Sequence, residues 1–444
     1  MITGNNSSNW HQSRYNLFAP IPGSKSYAGI NTFSGTYGVF SVPELYLLSE
    51  TEHLPSDHPA LERFKRLGMV VDYDEEAALI SMAGLASGAP FEVCLTICPT
   101  LACNLDCPYC YQDHGRGSMT PKTQDDTIAL AERMLKASGA RKLMIRWYGG
   151  EPLLCPDIIE QMSIRLMALA ERYGAEYKAW ILTNGYLLTQ DICDMLGRVR
   201  VTSAQITIDG TEKTHNATRH LTGGGGTFDR ITTNLRTLRI PFKVKIRCNL
   251  HNGNEKEKDE VEKLVEELAL SSGNTYIFNP VYIQTNILKS KDRDTIEPVG
   301  FEQNYQYDID SFCSRFGPAA GRFCEANNIW QVCVNDKGRL YRCCETPDDT
   351  DDSFGSAAYW NPEDPIRTSD NPDSFTYYIN SSNPLMHEQC RDCVWFPKCL
   401  ALCPYTRKKY GYKCYPWKND PDTFVLAVYK YKTGINTSED MTNG

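Results

Sequence analysis

Three cysteines stand close together in the stretch CNLDCPYCYQ, where Cys103, Cys107 and Cys110 are separated by three and then by two residues. A closed zinc or iron site uses four protein ligands, whereas a reactive metal centre keeps one position open. Three thiolates on one loop therefore indicate a metal centre whose remaining position is available to a substrate or a cofactor.

A second group of cysteines lies near the C-terminus, because ten of the eighteen cysteines fall between Cys313 and Cys414. We expect a cytoplasmic protein, since the first fifteen residues lack the apolar run of a signal peptide and no membrane-spanning stretch is present. The cytosol keeps thiols reduced, so metal binding explains so many cysteines better than disulfides do. The sequence thus predicts two separate metal-bearing regions.

Length and charge limit the classes of function. A chain of 444 residues has room for about three domains, and 41% hydrophobic with 23% charged residues is ordinary for a folded protein. The formal net charge of -9 argues against broad nucleic-acid binding, which needs a positive field. We therefore expect neither a nucleic acid nor a membrane as a partner.

Hydrophobic periodicity predicts alternating strands and helices from residue 91 onward. The predicted strands are 92–97, 143–147, 178–182, 204–208, 242–248 and 275–278, and the predicted helices are 123–136, 155–173, 189–196, 228–238 and 255–270. Such βα units imply an α/β fold with a parallel sheet, either open or closed into a partial barrel. Ligands bind at the C-terminal ends of the strands in these folds.

Four motifs follow the first four predicted strands. The cysteine triad follows the first, YGGEP (148–152) the second, LTNG (182–185) the third and TIDG (207–210) the fourth. Because these strand ends meet at one edge of a parallel sheet, we expect the four motifs to surround one pocket.

The C-x3-C-x2-C spacing with Tyr109 before the third cysteine resembles the radical S-adenosylmethionine (radical SAM) enzymes. The resemblance implies a partial (β/α)6 TIM barrel in which Cys103, Cys107 and Cys110 bind three irons of a [4Fe-4S] cluster, while SAM chelates the fourth. It also implies that SAM is cleaved to a 5'-deoxyadenosyl radical, which removes a hydrogen atom from the substrate. An ordinary zinc knuckle is the alternative.

The resemblance extends to residues that would contact SAM. They are Tyr109, Gly149, Gly150, Glu151, Thr207 and Arg219. Glycines at 149 and 150 let the backbone approach a ligand closely, and Arg219 supplies a planar donor suited to a carboxylate. Taken one at a time, GGEP and TIDG could also be ordinary βα turns.

The C-terminal cysteines resemble the SPASM domain, whose pattern is C-x9-15-G-x4-C, a gap, C-x2-C-x5-C-x3-C, a gap and C. The resemblance assigns one auxiliary [4Fe-4S] cluster to Cys324, Cys343 and Cys403, and a second to Cys390, Cys393, Cys399 and Cys414. The chain would then hold three [4Fe-4S] clusters and SAM. A zinc ribbon is the alternative for this region.

The SPASM pattern does not identify the fourth ligand of the first auxiliary cluster. The stretch WQVCVNDKGRLYRC predicts a hairpin turning at 336–338, which would place Cys333 on the strand facing Cys343. Cys333 is therefore the candidate, against Cys344 or an iron left accessible to substrate.

The predicted domains are an N-terminal module (1–90), a radical SAM core (91–300) and a SPASM domain (301–444). The N-terminal module predicts short strands and two helices, and its end resembles the PqqD-like domain that captures leader peptides. A capping module that only covers a sheet edge is the equal alternative.

Enzymes with SPASM domains modify polypeptides, so the resemblance implies a ribosomal-peptide maturase that installs a thioether or carbon-carbon crosslink. Its partners would be a precursor peptide with a leader and a flavodoxin- or ferredoxin-type electron donor. Sulfatase maturases carry a catalytic Asp where this chain has Cys344, which makes that function less favoured. Asp209, Cys344 and Glu345 are the candidate catalytic residues. A sulfatase maturase, a peptide epimerase and a non-catalytic zinc protein remain alternatives.

Overall fold

The computed structural model describes residues 10–282, 323–412, 414 and 416–434. The chain divides into two compact units, each built from separated segments. The first comprises Met1–Ala86, Phe301–Cys324 and Asn380–Gly444, and the second comprises Ser87–Gly300 and Glu325–Ile379. Cys313 and the start of the predicted SPASM domain lie outside the described residues.

The first unit begins with a three-stranded antiparallel sheet in the order β2-β3-β4 and a separate two-stranded pair of β1 with β5. Its strands are β1 (His11–Gln12), β2 (Asn16–Pro20), β3 (Ser26–Asn31), β4 (Tyr37–Ser41) and β5 (Val70–Val71). Its helices are α1 (Val42–Ser49), α2 (Pro59–Arg66) and most of α3 (Glu75–Gly88), then α11 (Glu388–Arg391), α12 (Phe396–Cys399), α13 (Pro404–Tyr410) and α14 (Pro421–Thr433). The predicted strands are confirmed, and so are the two predicted helices, as α1 and α2, but α3 was not predicted.

The N-terminal sheet packs on residues from the far end of the chain. Ala28 and Ile30 of β3 share a core cluster with Trp395 and with Phe424 and Val428 of α14. Sequence periodicity within residues 1–90 cannot show this partner, because it lies more than 300 residues away along the chain.

The second unit holds a nine-stranded sheet in the order β11-β10-β9-β8-β7-β6-β12-β13-β14. Its strands are β6 (Val93–Ile97), β7 (Lys142–Trp147), β8 (Glu176–Leu182), β9 (Val201–Thr207), β10 (Lys243–Leu250), β11 (Tyr276–Tyr282), β12 (Gln331–Val334), β13 (Arg339–Tyr341) and β14 (Gly355–Ser356). Strands β6 to β11 pair in parallel in chain order, and β12 adds in parallel beside β6. The sheet is therefore mostly parallel, as predicted, and is consistent with a partial TIM barrel.

Helices join the parallel strands. They are α4 (Pro121–Ser138), α5 (Pro156–Arg172), α6 (Gln190–Arg198), α7 (Glu212–Thr218), α8 (Phe228–Thr237) and α9 (Lys258–Ser272), followed later in the chain by α10 (Pro372–Ile379). Helix α4 starts where the sequence favours a start, with Thr120 as its N-cap and Pro121 in its first turn. All five predicted helices of this region are confirmed to within a few residues.

One face of the parallel sheet packs against these helices and the opposite face does not. Alternate residues such as Leu143, Ile145 and Ile246 are fully buried in the core cluster that contains the helix residues Leu130 and Leu166. We call the opposite face, with residues such as Arg146, Gln205 and Arg247, the inner face. The period-2 alternation thus separates a core face from a polar face on the same strands.

The hairpin of β12 and β13 corrects one prediction. Cys333 pairs with Tyr341 and Val334 with Leu340, so the strand ends before Cys343 is reached. The expectation that Cys333 faces Cys343 is wrong by two residues, because a turn at 336–338 brings Asn335 opposite Arg339 and therefore Cys333 opposite Tyr341. Within the described residues, no helix is long and apolar enough to cross a membrane.

Candidate functional site

A cavity of about 480 Å³ lies in the second unit at the C-terminal ends of the parallel strands. The structure places all four sequence motifs on its wall. The lining residues from these motifs are Cys103, Cys107, Tyr109, Cys110, Tyr148, Gly149, Gly150, Leu182, Thr183, Asn184 and Thr207. Arg219 and Glu345 also line it.

The cysteine loop is held in place by backbone hydrogen bonds to the segment that follows α7. The amide of Asp106 donates to the carbonyl of His220 at 3.0 Å, and that of Thr222 donates to the carbonyl of Asn104 at 2.9 Å. The amide of Leu105 donates to Cys103 Sγ at 3.4 Å. The loop therefore presents its three thiols from a fixed backbone, and one sulfur already accepts a hydrogen bond.

Burial makes these thiols weak acids on their own. It raises the pKa of Cys103 to about 11 and that of Cys107 to about 12. Bound iron favours the thiolate form of a cysteine, because the cation offsets the cost of burying the negative charge. Three half-buried thiols on one cavity wall fit an iron-sulfur cluster as a donor set, and the family resemblance assigns each thiol to a different iron.

Gly149 and Gly150 lie against the segment that leads into the cysteine loop. A Cβ on Gly149 would lie 2.2 Å from the carbonyl oxygen of Thr100, and a Cβ on Gly150 would lie 2.2 Å from that of Ala102. Gly149 also has a φ of +110°, a conformation that disfavours other residues. Only glycine fits at both positions, so this contact fixes the distance between β7 and the start of the loop.

Glu151 ties two of the motifs together. Its buried carboxylate accepts hydrogen bonds from the amides of Leu153 at 2.9 Å and Asn184 at 2.7 Å and from the hydroxyl of Thr183 at 2.7 Å. Burial nevertheless raises its pKa above the ordinary value. Glu151 was predicted to bind the cofactor; the structure places it behind the cavity wall, where it holds the YGGEP and LTNG loops in register.

Asp209 lies at the centre of a second buried network. Its Oδ2 accepts a hydrogen bond from the hydroxyl of Tyr109, and its Oδ1 accepts one from the amide of Asn249 at 2.8 Å. Arg219 Nη1 lies 3.8 Å from the same carboxylate and donates to the Tyr109 hydroxyl at 2.7 Å. Asp209 is fully buried and is not among the lining residues, so it acts on the cavity through Tyr109, Arg219 and Asn249, which line it.

His215 connects this network to Arg219 from behind. Its Nδ1 accepts a hydrogen bond from the amide of Asp209 at 3.2 Å, which leaves the proton on Nε2 facing the Thr227 hydroxyl at 3.1 Å. Thr227 in turn donates to the carbonyl of Arg219. Burial, helped by the charge of Arg219, lowers the pKa of His215 to about 3, so the ring is neutral.

A second wall of the cavity carries Glu345. The hydroxyls of Tyr111 and Tyr148 are hydrogen-bonded to each other, and the Tyr148 hydroxyl lies 3.5 Å from Glu345 Oε2. Burial raises the pKa of Glu345 to about 7. Cys344 Sγ lies 3.9 Å from the same carboxylate. The structure thus brings Cys344 and Glu345 beside the cavity and keeps Asp209 behind it.

Cys333 has a different neighbour from the one that the sequence suggested. Its Sγ lies 4.0 Å from that of Cys98, and both thiols are buried in an apolar cluster with Leu101 and Tyr341. Its role as a fourth cluster ligand stays a prediction. Cys343 belongs to the second unit, whereas Cys324 and Cys403 belong to the first.

The four cysteines assigned to the second auxiliary cluster, Cys390, Cys393, Cys399 and Cys414, all lie in the first unit. Burial raises the pKa of the Cys399 thiol to about 12, and hydrogen bonds from the amides of Ala401 and Leu402 to the sulfur offset part of this rise. Residues 400–402 all have positive φ values, between 46° and 65°, although none is glycine. A turn of this kind wraps the backbone around the sulfur, and it fits a cluster ligand.

No three His, Cys, Asp or Glu side chains of the described part of the chain are close enough to bind one metal ion. Sequence reasoning missed Asn249 and Arg247, which line the cavity from the inner face of β10. The polar residues at alternate positions of that strand were the available signal.

Comparison with known proteins identifies part of the chain. Residues 97–268 match the model of the Radical SAM superfamily. The chain is 26% identical over 211 residues to the AdoMet-dependent heme synthase of Methanosarcina barkeri, covering 46% of this chain and 54% of that one. It is 30% identical over 155 residues to the mycofactocin maturase MftC of Mycobacterium tuberculosis, covering 34% and 35%. The chain thus spans about a half and about a third of these curated relatives.

The fold is similar to that of a solved structure. Native anSMEcpe with bound AdoMet and Cp18Cys peptide superposes with a TM-score of 0.54 at 17% identity, over 76% of this chain and 97% of that one. At this identity the similarity concerns the fold alone.

The glycine contact yields one prediction. We expect Gly149→Ala to lower the free energy of unfolding by about 3 kcal/mol, because its Cβ would meet a backbone carbonyl and its φ would be strained. Chemical unfolding followed by circular dichroism measures this. Gly223→Ala is the matched control, since Gly223 has a φ of +95° with nothing within 4 Å, and it should cost about 1 kcal/mol. Equal losses in the two variants would show that the contact is not tight.

His215 yields a pH prediction. Its pKa is lower in the folded chain, so its neutral form contributes stability that is complete above pH 6.5 and is lost as the pH falls toward 3. Between pH 7 and pH 5 the folded chain should lose about 2 kcal/mol from this group. The loss should be absent in His215→Gln and retained in a variant of the exposed His53, both measured by urea unfolding. A wild-type slope that survives in His215→Gln would contradict the assignment.

Proposed function

We propose that this chain, whose residues 97–268 form a radical SAM domain, is an enzyme that modifies a precursor peptide and installs a thioether or carbon-carbon crosslink. The observation that carries the proposal is the set of three thiols on the wall of a cavity that Gly149, Gly150 and Arg219 also line. The relatives include a maturase, and a protein of similar fold binds both AdoMet and a peptide.

In this proposal Cys103, Cys107 and Cys110 hold a [4Fe-4S] cluster. When bound, the cluster supplies the electron that cleaves SAM to methionine and a 5'-deoxyadenosyl radical. The chain itself positions the cofactors. The cysteine loop fixes the positions of the three thiols, and Arg219 presents a cation to the SAM carboxylate. Thr207 and the backbone at Gly149, Gly150 and Tyr109 line the space that SAM would occupy.

Arg219 can stay charged at this buried position because neighbouring groups offset the cost of burying its positive charge. Burial by itself lowers the pKa of Arg219, but Tyr109, Cys107 and Asp209 raise it well above the ordinary value, so its charge is retained. We assign Asp209 and His215 to positioning, since they orient Arg219 without reaching the cavity. Glu151 has the same kind of role for the loops beneath SAM.

The second wall would face the peptide. Closing a thioether removes from the peptide one hydrogen atom, one proton and one electron. The hydrogen atom goes to the deoxyadenosyl carbon and the thiol proton to a base. Glu345 is the carboxylate that lines the cavity, so we assign it the role of the base that accepts the thiol proton. Tyr148 and Tyr111 hold the Glu345 carboxylate in place. Cys344 beside it is available to contact the peptide.

The electron needs an acceptor. The SPASM resemblance places auxiliary clusters on Cys390, Cys393, Cys399 and Cys414, and on Cys324, Cys343 and Cys403 with Cys333 as candidate. The amide donors at Cys399 support the first of these two sites. We retain the division into an N-terminal peptide-recognition module (1–90), a radical SAM core (91–300) and a SPASM domain (301–444). A cytoplasmic flavodoxin- or ferredoxin-type donor would supply electrons.

The proposed function is tested by reacting the chain with a precursor peptide encoded beside its gene and analysing the peptide product by mass spectrometry. Anaerobic reaction should give a peptide lighter by two hydrogens whose tandem mass spectrum lacks fragments between the linked residues. A lighter peptide that fragments normally would indicate formylglycine formation, and unchanged mass with altered stereochemistry an epimerase. Zinc without iron or sulfide in the purified protein would overturn the proposal.

The cysteine triad gives a prediction that tests the radical chemistry. Cys103→Ala, reconstituted anaerobically with iron and sulfide, should lose about four irons per chain and all 5'-deoxyadenosine production from SAM. Metal analysis and chromatography of the SAM reaction measure the two effects. Cys155→Ala is the control, because Cys155 is a half-buried thiol that does not line the cavity. Deoxyadenosine formation by Cys103→Ala would contradict the radical assignment.

Glu345 gives a prediction that tests the proposed proton transfer. In Glu345→Gln the peptide crosslink formed per deoxyadenosine should fall by about 100-fold, since a general base typically contributes that much. The ratio of the two products by mass spectrometry measures it, and the exposed Glu363→Gln serves as the control. An unchanged ratio would remove Glu345 from the mechanism.

A further inference from the structure

Strand β10 carries three cations at alternate positions of the inner face. Its core-facing residues Val244 and Ile246 are fully buried, whereas Lys243 and Lys245 between them are exposed and Arg247 is half-buried. Side chains two residues apart on a strand lie on the same face, about 6.8 Å from one another. The three cations therefore form a row about 13 Å long. We call this row the β10 cation row.

The neighbouring strands do not neutralise this row. On β9 the residues in register with Lys243, Lys245 and Arg247 are Ser203, Gln205 and Thr207, and on β11 those in register with Lys245 and Arg247 are Ile277 and Asn279. None of these side chains carries a charge. Among the residues that the structure describes, none of the three cations forms an ion pair with a carboxylate.

Cations on the inner face of β7 and β8, in contrast, form ion pairs with carboxylates. Lys178 pairs with Glu176 at 2.8 Å, and Lys142 pairs with Glu92 at 2.5 Å. Arg146 pairs with Glu325. Strands β7 and β8 thus compensate their inner-face cations within the second unit, and β10 leaves its three uncompensated in a chain of net charge -9.

The row ends inside the candidate active site. Arg247 lines the cavity, and its Nε donates to Asn249 Oδ1 at 2.6 Å. The backbone N–H of Asn249 donates to Asp209, so the residue that orients Arg247 is anchored to the buried network. Arg219 already faces Tyr109 and Asp209, whereas within residues 10–282 and the other described segments no carboxylate forms an ion pair with Arg247.

We propose that the β10 cation row binds carboxylate side chains of the peptide substrate and draws an acidic segment along the inner face into the cavity. This inference rests on the proposed function and names its substrate class, a precursor peptide with acidic residues near the modified position. An extended peptide repeats its side chains every two residues at nearly the spacing of the row. Acidic residues at alternate positions would therefore match Lys243, Lys245 and Arg247 in turn.

A carboxylate ligand has one other source, the SAM carboxylate, which could reach Arg247 from within the cavity. It could not also occupy Lys243, whose Cα lies about 13 Å farther along the strand. Nucleic acid is disfavoured because the overall charge of -9 repels phosphates outside this row. The length of the row favours a peptide.

Fluorescence anisotropy with the full reconstituted chain tests the inference. The probes are fluorescein-labelled twelve-residue Gly-Ser peptides with four Glu, four Gln or four Lys at alternate positions. The Glu peptide should bind about tenfold more tightly than the Gln peptide at about 50 mM NaCl, and this advantage should shrink at about 300 mM. Lys243→Glu with Lys245→Glu should weaken binding of the Glu peptide about tenfold, and the corresponding double Gln variant should weaken it less.

Lys256→Glu with Lys263→Glu is the matched control. It makes the same change in net charge at two exposed positions on the helical side, and it should leave Glu-peptide binding unchanged. Equal binding of the Glu and Gln peptides, or equal losses in the two double Glu variants, would overturn the inference. Tighter binding of a labelled oligothymidylate than of the Glu peptide would overturn it in favour of nucleic acid.

Two further measurements are needed. One distinguishes a peptide carboxylate from the SAM carboxylate as the ligand of the row, and the other distinguishes failure of this inference from failure of the proposed function. If Arg247→Gln weakened SAM binding while the Lys243 and Lys245 variants left peptide binding intact, SAM would be the only ligand of the row and the inference would fail. SAM cleavage by the wild-type chain is measured in a separate assay. Absence of cleavage would count against the proposed function, whereas loss of charge-dependent peptide binding counts against the row alone.

Discussion

The contact of Gly149 and Gly150 with the carbonyls of Thr100 and Ala102 is the constraint on which the candidate site depends. Parallel pairing of β6 with β7 sets the direction of both chains at the sheet edge, but it does not set how closely the following loops approach. Two glycines without Cβ atoms allow backbone to lie on backbone immediately before Cys103. The position of the thiols is therefore determined by main-chain packing, which side-chain motion cannot disturb.

Behind this contact, each buried charged group has hydrogen-bond partners or an opposite charge beside it. Glu151 is surrounded by three donors, and Asp209 faces Arg219 and the Tyr109 hydroxyl. His215 is held neutral, so it can accept a hydrogen bond from the Asp209 amide without adding a second positive charge beside Arg219. A buried polar network of this kind is costly when a partner is missing and rigid when all are present. It suits a site in which a cofactor must be held in one orientation.

Much of this arrangement could be predicted from the sequence. The alternating strands and helices gave the parallel order of β6 to β11, and this order alone brings the four motifs to one edge. Other features depend on long-range packing, which periodicity cannot show. The contact of α14 with the N-terminal sheet joins opposite ends of the chain, and Cys98 meets Cys333 only because β12 pairs beside β6. Cys333 was expected opposite Cys343, but the predicted turn at 336–338 pairs it with Tyr341, where β13 ends. The separation of Asp209 from the cavity depends on side-chain hydrogen bonds that spacing does not encode.

The distribution of charge across the second unit suits the proposed chemistry. A carbon radical removes a hydrogen atom from whichever suitable carbon lies next to it, so selectivity must come from how the substrate is held rather than from acid or base strength. The groups behind the wall are paired and fix the cofactor side. Among the described residues, by contrast, Lys243, Lys245 and Arg247 form no ion pair, and Arg247 at the end of the row lines the cavity. An unpaired cation in a half-enclosed site gains more from a carboxylate than one already bonded within the protein, because no existing partner has to be displaced. The uncompensated strand is therefore the part of the sheet best suited to choosing which residue of a peptide reaches the radical.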